Sequence, residues 1–157
     1  MSTDNPSFPQ INPSELRIGI VCACFNQKLT DILLERVTSC LTQNGELNEL
    51  VVERVPGSNE VPSCIDLILQ NKVMDCMIGL GVLIKGQTSH HHLVAEAAGQ
   101  SMQKLSLQYH IPVINGIVVT EDLKSAEDRV HGSIDRGSEF AQAALFMGQI
   151  KKKWTKI

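Results

Sequence analysis

Aromatic residues are scarce in this chain, with one Trp, one Tyr and four Phe making up 4% of 157 residues. Each phenylalanine is therefore worth placing. A basic excess is also missing: 14 Lys and Arg stand against 17 Asp and Glu, for a net charge of −3. No general attraction to nucleic acid follows from that balance. No apolar run approaches the roughly 18 residues that a membrane span requires. The first residues, Met1-Ser2-Thr3-Asp4-Asn5-Pro6, have neither the basic start nor the apolar stretch of a secretory leader. The five cysteines are odd in number and contain no CxxC pair. Cys22 and Cys24 alternate along a predicted strand, as small apolar fillers of one face would. The expectation is a reduced, cytoplasmic protein without membrane or nucleic-acid partners.

What the chain does contain is apolar content of 43%, enough for one domain with a real core. Residues 1–14 are polar and carry Pro6, Pro9 and Pro13, which predicts an extended arm ahead of a single domain over 15–157. Arg17 to Ala23 reads as a buried strand, and a helix follows from about Thr30, with Leu29, Leu33, Val37 and Leu41 at helical spacing. Asn44-Gly45 ends it. Leu50 to Val55 is a second strand, and Pro56 to Glu60 a turn. Pro62 suits the first turn of the next helix. Cys76 to Ile84 is a third strand. A helix from about His91 to Tyr109 is expected to turn Val94, Ala97, Ala98, Ser101 and Leu105 inward. Ile111 to Val119 is a fourth strand, and Thr120-Glu121-Asp122 supplies a cap and acidic first turn for another helix. After a break marked by Gly132 and Gly137, a last helix runs from about Ser138 to Lys151. Strands and helices in alternation predict an α/β fold, a four-stranded parallel sheet with helices on both faces.

In such a sheet, ligands bind beyond the carboxyl ends of the strands. Four polar loops fall there: Phe25-Asn26, Ser58-Asn59-Glu60, Lys85 to His92, and Asn115 with Thr120-Glu121. The third invites two misreadings. Gly81 to Gly86 has the spacing of a phosphate loop, but Gln87 stands where its lysine belongs and the intervening residues are strand-like. Gly79-x-Gly81 lacks the third glycine of a dinucleotide fingerprint. His90, His91 and His92 suggest a metal, yet consecutive residues at a helix start point about 100° apart. No metal or cofactor is therefore expected. His91 and His92 read as a solvated helix start, whereas His90 can move protons near neutrality. Backbone amides around Gln87 and Thr88 form a natural anion site. Arg129 and Arg136 are either a solvated helix face or a clamp on a phosphate. Lys151-Lys152-Lys153-Trp154 reads as a basic tail.

Taken together, these loops resemble those of the lumazine synthase family. The resemblance runs from about Arg17 to Gly148. It rests on Phe25-Asn26, on Val55-Pro-Gly-Ser-Asn-Glu60-Val-Pro62, and on Gly81-Val-Leu-Ile-Lys-Gly-Gln-Thr-Ser-His90. Pro112-Val-Ile-Asn-Gly-Ile-Val-Val-Thr-Glu121 and Ala126-Glu-Asp-Arg129 complete it. The resemblance implies a flavodoxin-like three-layer αβα sandwich. It also implies condensation of 5-amino-6-ribitylaminouracil with 3,4-dihydroxy-2-butanone 4-phosphate to 6,7-dimethyl-8-ribityllumazine, a step of riboflavin biosynthesis needing no cofactor. By resemblance, Phe25 stacks on the pyrimidine, while Ser58, Asn59 and Glu60 hold the ring and ribityl chain. Val82, Leu83 and Ile84 line the apolar side, Gln87 and Thr88 bind phosphate with Arg129, and His90 transfers protons. Asn115 and Arg129 would come from a neighbouring subunit of a pentamer, and the proline-bearing arm would reach a neighbour's sheet.

The chain departs from the family pattern at several positions. His91 and His92 replace the usual aromatic and acid after the histidine, which removes a possible carboxylate partner of His90. Asn59 and Asn115 stand where many members carry Phe, so a more polar pocket is expected. Arg136 lies near the position of a substrate-contacting Lys, in a segment one residue shorter. Two alternatives remain: an archaeal-type riboflavin synthase, which shares the fold, and a weakly active flavin-binding or shell-forming homologue.

Overall fold

Two of the four strands are nearly continuous apolar runs and two are not, and this difference sets the order of the sheet. The structure, a computed structural model, describes Asp4 and residues 6–155. Strands β1 (Arg17–Ala23) and β3 (Cys76–Ile84) are buried along most of their length. They form the centre of a four-stranded sheet, while β2 (Glu49–Val55) and β4 (Val113–Thr120) form its half-exposed edges. All pairings are parallel, in the order β2-β1-β3-β4. This is the flavodoxin-like doubly wound arrangement, whose chain reverses direction across the sheet between β1 and β3.

Among the described residues, five α-helices cover the sheet: α1 (Gln27–Thr42), α2 (Val61–Asn71), α3 (His90–Tyr109), α4 (Leu123–Val130) and α5 (Arg136–Thr155). Strand residues alternate between two cores. Ile18, Ile20, Cys22, Ile78 and Leu80 pack with Leu33, Val37, Ala141 and Leu145 of α1 and α5. Val21, Ala23 and Met77 pack with Ile65 of α2 and Met102 of α3. The result is the expected three-layer sandwich.

Several boundaries and faces differ from expectation. Helix α1 starts three residues early because Asn26 adopts φ 57°, turning the chain straight out of β1. Asn tolerates that left-handed conformation better than most residues. Before α4, Asp122 is the cap itself, accepting a hydrogen bond from Ser125 N at 2.7 Å, so no acid occupies the first turn. On α3 the inward positions are His91, Ala98 and Met102, whereas Ala97 and Ser101 are exposed. Ala98 and the half-buried Val94 and Leu105 lie on the expected stripe, while Met102 rather than Ser101 packs on the sheet. Lys151 is more than a tail residue. Its ammonium donates to Asp75 at 3.1 Å, and α5 continues to Thr155.

The N-terminal arm is also less free than its prolines suggest. Residues 1–3 and 5 lie outside the described residues. Further on, Phe8 lies 4.9 Å from the Phe146 ring, centroid to centroid, and Ile11 is 5% exposed. Gln10 Nε2 donates to Asn44 Oδ1 at 2.9 Å, and Pro13–Glu15 form a short 3-10 helix. Two apolar side chains in a polar segment are enough to dock its second half on the domain.

Candidate active site

The carboxyl ends of β1, β2 and β3 open into one cavity of about 530 Å³. Phe25 enters it directly after β1, with 70% of its surface exposed, and Asn26 fixes its approach by donating from Nδ2 to the Val82 carbonyl at 2.7 Å. From the β2 side come Ser58, Asn59 and Glu60, held in a 3-10 turn that leads into α2. Two glycines make this convergence possible. A Cβ at Gly81 would collide with the Ser58 hydroxyl, and one at Gly57 would stand 3.0 Å from Glu60 Oε2 and 3.2 Å from the Phe25 ring. Leu83, Ile84, Thr88 and His90 complete the wall from β3 and the start of α3.

The loop from β3 to α3 forms part of the cavity wall. Ser89 is the N-cap of α3 but makes no side-chain capping bond, and the Thr88 hydroxyl lies 3.4 Å from His90 N. His92 N donates to the Ser89 carbonyl at 3.0 Å, and Thr88 and His90 line the cavity. Across the loop, Lys85 pairs with Glu121 at 2.7 Å. The hydrogen bond from Lys85 holds the Glu121 carboxyl below its ordinary range, and the same bond raises Lys85. Both groups are exposed, so the pair orders the loop more than it stabilises the fold.

A family model described as 6,7-dimethyl-8-ribityllumazine synthase matches residues 15–152 of the chain. Proteins of that printed name are similar to it in distant organisms. One from Xylella fastidiosa (strain M12) is 35% identical over 145 residues, covering 91% of this chain and 94% of the relative. One from Thermococcus kodakarensis is 34% identical over 138 residues, covering 88% of each. One from Prochlorococcus marinus (strain MIT 9215) is 34% identical over 146 residues, covering 90% and 92%. The chain belongs to the 6,7-dimethyl-8-ribityllumazine synthase family.

Of the residues singled out from the sequence of this family member, Phe25, Ser58, Asn59, Glu60, Leu83, Ile84, Thr88 and His90 line the one cavity. Val82 does not line it. Its side chain is 1% exposed in the core, and its contribution is the carbonyl that anchors Asn26. Gln87 is exposed in the turn before α3. Asn115 sits exposed on the edge strand β4, where its Oδ1 accepts from Ile117 N at 3.1 Å. Arg129 donates to the Ser125 carbonyl within α4 at 3.0 Å. Arg136 pairs with Glu139 at 2.6 Å at the start of α5. These four are not part of the cavity wall.

Residues without an assigned role in the sequence also reach the site. Asn26, Gly57, Gly86, His91 and Val94 line the cavity. The left-handed turn at Asn26 could have been read from Asn following a strand; the others needed the fold. His91 corrects an expectation: it is 6% exposed rather than solvated, and neither ring nitrogen has a hydrogen-bond partner among the described residues. The geometry of the pair is corrected as well. The His91 and His92 rings lie 4.0 Å apart, centroid to centroid, with their planes 39° apart. Among the cysteines, Cys22 is buried and its thiol is pushed up to about 11 by burial, which makes it an inert filler.

Proposed function

We propose that this protein is a cytoplasmic lumazine synthase that joins 5-amino-6-ribitylaminouracil to 3,4-dihydroxy-2-butanone 4-phosphate, releasing phosphate and water. The observation that carries the reading is the single cavity shared by Phe25, Glu60, Thr88 and His90. An exposed phenylalanine beside a cavity offers a face for a heteroaromatic ring, and no other aromatic competes for that role there. Ser58, Asn59 and Glu60 offer a carboxylate and polar groups for the ring and the hydroxylated chain. Leu83 and Ile84 supply the apolar wall.

The second substrate brings a phosphate, which in this reading binds at the turn of Gln87 and Thr88 before α3. His90, at the start of α3, lines the same cavity. As the ring amine adds to the ketone, His90 takes and returns the protons that imine formation and phosphate departure require. Holding two reactive molecules in contact supplies much of the remaining acceleration. The chemistry contains no redox step and no cofactor.

Asn115, Arg129 and Arg136 have a natural place in the same scheme if the enzyme assembles as a pentamer with sites between subunits. Asn115 faces outward from an edge strand, as a residue serving a neighbour's cavity should. Arg129 and Arg136 would then supply cations to the phosphate from across the interface. The arm beyond its docked segment would extend toward the adjacent subunit.

A product assay tests the reading. Purified protein given both substrates should form the lumazine well above the uncatalysed rate. Riboflavin produced from lumazine alone would establish the riboflavin synthase alternative, and tight lumazine binding without turnover the binding homologue. Sedimentation should give a mass that is a multiple of five subunits.

A further inference from the structure

We propose that His91, His92 and Glu121 form a binding site for a divalent transition metal of the zinc class, at the junction of α3 with the loop between β4 and α4. One ligand atom from each residue falls in a group whose members all lie within 4.8 Å of one another. His92 Nε2 and Glu121 Oε1 are 4.0 Å apart, and the two imidazole rings are 4.0 Å apart between centroids.

An independent observation points to a ligand. His91 is 6% exposed, and both its ring nitrogens are buried without a hydrogen-bond partner among the described residues. A buried polar atom left unpaired is destabilising. A metal–nitrogen bond removes that cost at one nitrogen, whereas a structural aromatic at the position would never incur it.

The donor chemistry selects the ion. Two imidazoles and one carboxylate suit Zn²⁺, Co²⁺ or Ni²⁺, and leave a fourth position for water. Bonds of about 2.0–2.1 Å in a tetrahedral site place donors roughly 3.3 Å apart. The present spacing must therefore close by an ångström or so. His92 and Glu121 have the freedom to do this, with side chains 61% and 63% exposed. Glu121 need not abandon Lys85, which holds its other oxygen, Oε2, at 2.7 Å. All-oxygen ions such as Mg²⁺ gain little from imidazoles and are not the expected occupants.

Titration calorimetry of the intact protein with Zn²⁺ tests the site. One ion per subunit is expected, with no comparable uptake of Mg²⁺. Replacing an exposed ligand, His92→Ala or Glu121→Gln, should weaken binding roughly tenfold or more. His91→Phe should do the same if it folds; the two exposed variants keep the test intact if it does not. His110→Ala, on an exposed residue at the far end of α3, should change nothing. Co²⁺ should show the visible absorption of a four-coordinate nitrogen–oxygen site. Absence of Zn²⁺ uptake, equal affinity in His92→Ala and Glu121→Gln, or a thiolate-to-cobalt band would each overturn the assignment.

Discussion

The two ends of the sheet are finished differently. At the amino end, Asp75 is fully buried and completely partnered. It accepts from Arg17 N at 2.8 Å, Arg17 Nε at 3.0 Å, Arg17 Nη2 at 3.1 Å and Lys151 Nζ at 3.1 Å. Burial opposes its charge, but these bonds win and hold the carboxyl below its ordinary range. At the carboxyl end, Phe25 is exposed, α3 has no side-chain cap at Ser89, and His91 is buried without a partner. One end ties β1, β3 and α5 together; the other leaves donors and an aromatic face open. A domain that satisfies its groups at one end and withholds satisfaction at the other has separated holding the fold from receiving a ligand.

That separation makes Asp75→Asn the most damaging single change to the fold. Leaving the Arg17 and Lys151 charges without their carboxylate should cost about 3 kcal/mol. In a chain of this size that corresponds to a fall in Tm of roughly 6–12 °C, with kcat per folded molecule unchanged. A melting temperature equal to wild type would show that the cluster does not hold the sheet. The same cluster sets an acid limit. Because the folded Asp75 carboxyl lies below its unfolded value of about 3.9, its contribution is complete above that value and disappears as pH falls through the folded value. The wild-type and Asp75→Asn stability curves should therefore converge below about pH 4.

At the opposite end, effects should appear in rate rather than stability. His90→Ala should slow turnover by about 100-fold, with thermal denaturation unaltered; a variant at wild-type speed would remove the proton-transfer role. Arg129→Ala should raise the KM for the phosphate substrate by roughly tenfold, as expected for one lost charge-assisted bond, and leave the KM for the uracil substrate nearly unchanged. An unmoved KM would refute the phosphate role. The smallest effect should come from Asn26→Gly, which keeps the left-handed turn but loses the bond to the Val82 carbonyl. About 1 kcal/mol of stability and a modest rise in KM for the uracil substrate are expected, since Asn26 joins the frame to Phe25. Calorimetry beside a steady-state assay would separate the two.

Much of this organisation was legible in the chain itself. The buried run Cys76 to Ile84 was bounded to the residue, because nine consecutive apolar or glycine positions end abruptly at Lys85. The cavity loops were also readable, since a parallel sheet delivers every strand's carboxyl end to one edge. The inward face of α3 was legible only in part. Its sequence offers small residues on more than one side, and only Met102 reaching Gly79, between β3 and α2, fixes the rotation. The docking of the arm's second half is not legible for a related reason: three prolines outweigh one isoleucine in a composition, yet Ile11 is buried.

The sequence by itself determined the periodicities, the order of strands and helices, and the side of the sheet on which chemistry collects. These follow from local alternation and from the short reach of each connecting loop. The tertiary structure alone decided which neighbours meet. His91 and His92 are adjacent in every reading of the chain, yet their approach to Glu121, from a loop 29 residues further on, exists only because β4 pairs with β3 and carries Thr120 beside Ile84. Contacts between distant segments depend on packing, and packing is not written in any one stretch of residues.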